Sequence, residues 1–185
     1  MGANVNNALF FLVSTLFDLY LWLMILRVLL QVVRADFYNP ISQFVWQVTQ
    51  LPVKPLAAII PRWRRLDLAA MLLGYLIAIV YLYVVMSMLG IRVDGIYILW
   101  LAFLKLITLT LKLYTFTVFV QAILSWFGPG TQNPAGSILW SLNEPLLRPI
   151  RRAIPALGGL DLTPLIAIIG LQVLILLVPL APVLR

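Results

Sequence analysis

Four long runs of apolar residues alternate with shorter polar stretches along the chain. They cover about residues 8–33, 68–90, 96–127 and 162–184. Each run is long enough for a helix that crosses the hydrocarbon core of a bilayer, which takes about 20 residues. The pattern therefore predicts an all-α membrane protein with four transmembrane helices.

Two polar stretches, after the first and third runs, have a helical period of their own. Apolar residues recur every three or four positions after Asn39-Pro40 and again after Asn133-Pro134. Asparagine before proline favours a helix start, because the asparagine side chain caps free N–H groups and proline fits the first turn. Each stretch therefore predicts a short amphipathic helix lying in the membrane interface.

Composition supports the membrane class and narrows the chemistry. Of 185 residues, 63% are hydrophobic and 10% charged, whereas a soluble domain is about half apolar and a quarter charged. The chain contains no cysteine and no histidine, which excludes thiolate metal sites and removes the commonest general base. We therefore expect a non-enzymatic protein with no catalytic residue, cofactor or metal.

The distribution of basic residues predicts the orientation. The net charge is +7, and the two long loops hold most of the basic residues: Arg34, Lys54, Arg62, Arg64, Arg65, Arg148, Arg151 and Arg152. Short loops rich in lysine and arginine stay in the cytoplasm. We expect a multi-pass protein of the bacterial inner (plasma) membrane, with cytoplasmic long loops, both termini outside, and contacts to anionic lipid headgroups rather than to nucleic acid.

The two halves of the chain repeat each other at an offset of 94 residues. Trp46 aligns with Trp140, and Leu66-Asp67-Leu68 aligns with Leu160-Asp161-Leu162, without a gap in between. Leucines coincide easily in an apolar chain, but these residues do not. The alignment predicts repeats at 1–93 and 94–185 that are parallel, because two spans return the chain to its starting side.

The second repeat carries a more specific motif than the first. Its residues are Asn133-Pro134, Glu144-Pro145-Leu146-Leu147-Arg148-Pro149-Ile150-Arg151-Arg152, Ile154-Pro155, Gly158-Gly159, Asp161-Leu162 and Pro164. This motif resembles the signature of the YggT family of small bacterial and plastid membrane proteins. The resemblance implies a role linked to osmotic stress and ion homeostasis, to division or nucleoid placement, or to cytochrome assembly in plastids. It brings no catalytic residues.

The proline-rich segment after each amphipathic helix predicts a stiff basic elbow. Pro145 and Pro149 should break the helix, leaving one turn that presents arginines together. The elbow residues are Arg148, Arg151 and Arg152 in the second repeat and Lys54, Arg62, Arg64 and Arg65 in the first. Asp67 and Asp161 should cap the following spans. The elbow either sets topology and anchors lipid, or docks a cytoplasmic partner or an anionic ligand.

Two tryptophans lie at the edge of the amphipathic stripes. Trp46 and Trp140 have serine, glutamine and threonine as neighbours on the polar side. They are predicted as interfacial tryptophans among the lipid headgroups. The alternative is that they pack against the other repeat or a partner.

Charged residues within the spans are costly and therefore usually face protein or water. The repeat places Asp18 and Lys112 at equivalent depths, which predicts an intramembrane charge pair. Alternatively each charge has a separate fate, with Lys105 and Arg27 reaching toward opposite surfaces. A second polar stripe of Arg27, Gln31 and Arg34, matched by Gln121 and Ser125, predicts a vestibule open to the cytoplasm.

Two functions fit these features. One is a membrane scaffold or an assembly and homeostasis factor, with a membrane or cytoplasmic protein as partner. The other is a subunit of a homo-oligomeric ion channel or transporter, since four spans are too few for an obvious pore in one chain. The intramembrane charges favour transport, and the basic elbows favour the scaffold.

Overall fold

The computed structural model describes residues 2–61, 66–92, 94–126, 133–154 and 161–184, with side chains from Asn6 onward. Within these ranges the chain is helical apart from short connections, and it forms six α-helices and one 3-10 turn. The α-helices are α1 (Gly2–Val32), α2 (Pro40–Ala57), α3 (Leu68–Met88), α4 (Gly95–Trp126), α5 (Pro134–Ala153) and α6 (Thr163–Leu177), and the 3-10 turn is Pro182–Leu184.

Three of the described helices are long and apolar enough to cross a membrane. They are Asn6–Val32 in α1, Leu68–Met88 in α3 and Gly95–Ser125 in α4. Their length and composition make this a membrane protein. Helix α6 is apolar too but has only 15 residues, or about 22 Å at 1.5 Å per residue.

Helix α6 is shorter than the apolar run at 162–184 from which it was predicted. Val178, after the last helical residue, has an extended backbone with ψ 124°. Proline at 179 accounts for this, because its ring disfavours the helical conformation of the preceding residue. The chain then turns back, and Leu180 and Leu184 are buried in the main core.

The packing has the same plan in both halves. Helices α1 and α3 pack together with α2 lying across them, while α4 and α6 pack together with α5 lying across them. Helices α3 and α4 join the halves around a core that includes Leu21, Tyr81 and Ala102. Helix α2 also contacts α5, so the two amphipathic helices lie at the same end of the bundle.

Equivalent residues hold each amphipathic helix to its pair of long helices. Met24 and Val53 belong to the cluster under α2. Val118 and Leu147, which lie 94 positions later, belong to the cluster under α5. The stripe predicted for α5 faces the long helices of its own half, with Ile138, Leu139 and Leu142 buried. The stripe predicted for α2 is wrong for the most part, because Phe44, Val48 and Leu51 are exposed. Helix α2 packs through Val45, Thr49 and Val53 instead.

The expected break at the prolines is wrong. Helix α2 continues through Pro52 and Pro55, and α5 continues through Pro145 and Pro149 to Ala153. Pro145 and Pro149 are exposed and four residues apart, on one side of the helix. The carbonyl groups that lose their donors thus face out of the bundle, where other polar groups can satisfy them.

Candidate functional site

The first polar cluster is centred on Arg27 of α1, which is 7% exposed. Its Nε and Nη2 donate hydrogen bonds to Asp67 Oδ2, at 3.2 and 2.9 Å. Nη1 donates to Thr49 Oγ1 at 3.0 Å, and Nη2 also donates to Gln50 Oε1 at 2.8 Å. One guanidinium group therefore ties α1 to α2 and to the start of α3.

Asp67 has no free oxygen in this cluster. It is the N-cap of α3, and its Oδ1 accepts the Ala70 N–H at 3.1 Å while Oδ2 binds Arg27. A carboxylate at this position also interacts favourably with the positive end of the helix. Both charges are buried and fully hydrogen-bonded, so the cluster holds three helices together, and we call it the Arg27 lock.

The second repeat has a buried cluster of uncharged polar side chains at the equivalent place. Asn143 of α5 is fully buried, and its Oδ1 accepts the Thr117 hydroxyl at 2.8 Å. Its Nδ2 donates to Gln121 Oε1 at 2.8 Å. Gln121 and Asn143 stand 94 positions after Arg27 and Thr49, so amide groups replace the buried guanidinium and hydroxyl.

The arginine of the second repeat comes from α5 instead. Arg151 Nη1 lies 3.2 Å from Glu144 Oε2, and its Nε lies 3.3 Å from Asp161 Oδ2. Its guanidinium carbon lies 5.7 Å from the centre of the Trp140 ring, within cation–π range. Arg151 is 35% exposed, so this ion pair is screened by solvent far more than the Arg27 pair.

Asp161 lies one residue before the position expected for a cap. Helix α6 has Leu162 in the N-cap position without a side-chain bond, and Asp161 Oδ1 accepts the Thr163 N–H at 2.9 Å instead. Partial burial tends to raise the pKa of Asp161. Hydrogen bonding from Thr163 and the charge of Arg151 outweigh that effect, and the pKa lies below its ordinary value.

Each cluster borders a cavity between its amphipathic helix and its first long helix. The first cavity has a volume of about 270 Å³ and the second about 470 Å³. Six equivalent positions line both: Arg27 and Gln121, Leu30 and Leu124, Gln31 and Ser125, Ser42 and Gly136, Trp46 and Trp140, Asp67 and Asp161. Arg34 also lines the first cavity, so the predicted polar stripe lies along cavity walls.

The first turns of α2 and α5, which contribute to the walls of the two cavities, are in contact with each other. Asn39, the N-cap of α2, accepts the Ile41 N–H with its Oδ1. Its Nδ2 donates to the Pro134 carbonyl at 2.8 Å and to Ser137 Oγ at 3.0 Å. The cap of one amphipathic helix thus also binds the first turn of the other.

The two tryptophans lie at cavity walls. Trp46 is 39% exposed and packs edge-on against Phe37, and Trp140 is 54% exposed beside Arg151. Of the predicted basic elbow, Lys54, Arg148 and Arg152 are exposed. Arg62, Arg64, Arg65, Pro155 and Gly158-Gly159 lie outside the described residues.

The intramembrane aspartate has a different partner from the one predicted. Lys105 Nζ lies 2.8 Å from Asp18 Oδ1 and donates to Oδ2 at 2.9 Å and to the Leu184 carbonyl at 3.0 Å. It also lies 4.6 Å from the centre of the Tyr81 ring. Lys105 and Lys112 lie on one face of α4, two turns apart, and the structure pairs Asp18 with Lys105 instead of the predicted Lys112.

Sequence reasoning missed the polar residues that α2 and α5 contribute. Thr49, Gln50 and Asn143 are not among the predicted site residues, although Thr49 and Asn143 place a polar residue at the same position of each repeat. That coincidence was the available signal. Among the described residues, no group of three acidic residues is placed to hold a metal ion.

Comparison with known proteins agrees with this duplicated plan. The CCB3/YggT family model matches residues 6–89 and 100–181, one segment in each half. An uncharacterised protein of Pseudomonas aeruginosa is 40% identical over 95% of this chain and 90% of its own length. One of Vibrio alginolyticus is 43% identical over 90% of both chains.

The uncharacterised protein YggT of Escherichia coli K12 is 40% identical over 91% of this chain and 87% of its own length. No solved structure matches the chain significantly. The family match covers most of the sequence in two segments and extends across both polar clusters. This chain is therefore a member of the CCB3/YggT family.

Proposed function

We propose that this chain is a non-enzymatic scaffold or assembly factor of the bacterial inner membrane, acting in homeostasis under osmotic or ion stress. The observation that carries the proposal is that the buried charged side chains are bound to other groups of the protein. Arg27, Asp67 and Lys105 are buried and bound to protein groups. Polar groups along a transport path must release their protein partners to bind the ion. Groups that only hold helices together keep all their hydrogen bonds to protein.

The proposed working surface is the side of α2 and α5 that faces away from the long helices. Its exposed basic residues are Lys54, Arg148 and Arg152. Anionic headgroups attract such residues by about 1 kcal/mol each, and an acidic partner segment would meet the same charges. The polar clusters around Arg27 and Asn143 lie under α2 and α5 and hold this surface rigid, which lowers the entropy lost when a partner binds.

The proposed topology has four crossings, two parallel repeats, cytoplasmic amphipathic helices and both termini outside. The excess of basic residues near α2 and α5 supports this orientation. In it, α6 forms the fourth crossing with only 15 residues.

The alternative function is a subunit of an oligomeric ion channel or transporter. The observation that favours it is the Asp18–Lys105 pair, because an acid–base pair among membrane helices is where an ion path would begin. Lys105 is held by Asp18 and by the Leu184 carbonyl, so its charge is already neutralised within the protein, and we rank this function second.

The test compares the wild-type protein with a variant lacking the three exposed basic residues (Lys54→Ser, Arg148→Ser, Arg152→Ser). We expect purification in mild detergent with mass spectrometry to recover a defined membrane or cytoplasmic partner that the triple variant loses. Arg92→Ser, an exposed arginine at the other end of α3, is the control and should keep it. Ion flux through proteoliposomes of the chain alone, abolished by Asp18→Asn, would contradict the scaffold.

A further inference from the structure

Arg34 and Ser42 line the first cavity, and neither takes part in the Arg27 lock. Arg34 is exposed at the cavity wall and makes no ion pair or side-chain hydrogen bond with the described residues. Its charge is therefore available. The other cation of this cavity, Arg27, is neutralised by Asp67, so the lining carries one net positive charge.

The backbone holds Arg34 in a costly conformation. Its φ is +57°, and the Ala35 N–H behind it donates to the Leu30 carbonyl at 2.9 Å to end α1. Glycine usually occupies this position of a helix end, because a side chain disfavours the left-handed region. An arginine kept where glycine is easier indicates that its side chain has a use.

The second unused group is the hydroxyl of Ser42. Ser42 is 8% exposed, and its Oγ is buried without a hydrogen-bond partner among the described residues. It lines the same cavity as Arg34 and lies in the first turn of α2. The positive end of this 18-residue helix adds to the attraction for an anion.

The cavity suits an anion with several acceptor oxygens. Its volume of about 270 Å³ far exceeds the ~15 Å³ that one water needs. A guanidinium fork and a hydroxyl donor together match a phosphate group. Asp36, close by in sequence, does not line the cavity, and its Oδ1 accepts the Tyr38 N–H.

We propose that the first cavity binds a phosphate group between Arg34 and the Ser42 hydroxyl, carried either by a lipid headgroup or by a free phosphate anion. This binding site goes beyond the scaffold function and does not depend on it. The second cavity serves as an internal comparison. It has Gly136 in place of Ser42, and its arginine is occupied by two carboxylates, so it should not bind phosphate.

The test uses the purified full-length protein in mild detergent and native mass spectrometry. The probes are phosphatidylglycerol, diacylglycerol as the same lipid without its phosphate, and inorganic phosphate. We expect one tightly bound phosphatidylglycerol per chain and no matching adduct of diacylglycerol. Displacement by inorganic phosphate at similar concentration would identify a free anion as the ligand source, and failure to displace would identify a headgroup.

Variants separate binding from folding. Arg34→Gly removes the charge and relieves the backbone, so it should weaken phosphatidylglycerol binding about tenfold while the protein melts at the same temperature or higher. Ser42→Ala should weaken binding about threefold, and Arg92→Ala should leave it unchanged. Equal binding by wild type, Arg34→Gly and Ser42→Ala, or no binding of either phosphate probe by wild type, would overturn the site.

Discussion

The two repeats fasten an amphipathic helix to a following long helix with different residues. In the first repeat the arginine comes from α1, and the side chains of Arg27 and Asp67 are 6% and 4% exposed. In the second it comes from α5, and those of Arg151 and Asp161 are 35% and 44% exposed. Asp67 and Asp161 occupy equivalent positions, whereas the arginine comes from a different helix in each repeat. The duplicated fold therefore preserves a contact rather than a set of residues.

This difference in burial should translate into a difference in strength. A buried charge left without its partner costs far more than a surface charge in the same situation. The second repeat compensates with the uncharged group of Asn143, Thr117 and Gln121. The first lock should therefore be the more sensitive to mutation of its arginine.

The largest expected effect is that of Arg27→Ala. It leaves Asp67, Thr49 and Gln50 without their donor and should lower the free energy of unfolding by about 3–5 kcal/mol. Arg151→Ala should cost about 1 kcal/mol or less. Unfolding by denaturant in detergent micelles, followed by circular dichroism, measures both. Equal losses would contradict the distinction between a buried and a half-exposed lock.

Asn143→Leu should give the next largest effect. It leaves the Gln121 amide oxygen without its donor and the Thr117 hydroxyl with only its longer bond to the Tyr114 carbonyl. The loss should be about 1–3 kcal/mol in the same unfolding assay. Ser141→Ala, on the same helix but bonded only to a backbone carbonyl, is the control and should change little. If both variants unfold alike, the uncharged group does not stabilise the second repeat.

A transplant of the second arrangement into the first repeat should have a smaller effect of opposite sign. Arg27→Gln combined with Ala57→Arg and Gln50→Glu copies the residues of the second repeat. The added ion pair should recover about 1 kcal/mol of the stability that Arg27→Gln alone loses. A triple variant no more stable than the single one would show that α2 cannot supply the arginine.

The smallest effect concerns pH. Because the pKa of Asp161 is lowered in the folded protein, its contribution is full above the unfolded value of about 3.9 and disappears as pH falls through the folded value. Stability below about pH 4 should thus fall more steeply in wild type than in Asp161→Asn. Acid unfolding curves that superimpose would show that the contact between Arg151 and Asp161 does not stabilise the folded protein.

Much of the fold follows from the sequence, because long apolar runs and a helical period leave few alternatives for α1 to α5. The polar stripe of Arg27, Gln31 and Arg34 also indicates the cavity correctly. Three features depend on three-dimensional context instead. Pro145 and Pro149 are tolerated because they are exposed, Pro179 shortens α6, and Lys105 rather than Lys112 pairs with Asp18.

The account depends on both amphipathic helices lying at the cytoplasmic face, and cysteine accessibility tests this directly, since the chain has no cysteine of its own. Lys54→Cys and Arg148→Cys are equivalent exposed positions on α2 and α5, and Arg92→Cys lies at the other end of α3. A membrane-impermeant maleimide should label only Arg92→Cys in intact spheroplasts and only the other two in inverted vesicles. Labelling of Lys54→Cys and Arg148→Cys from opposite sides, or of both from outside, would contradict the account.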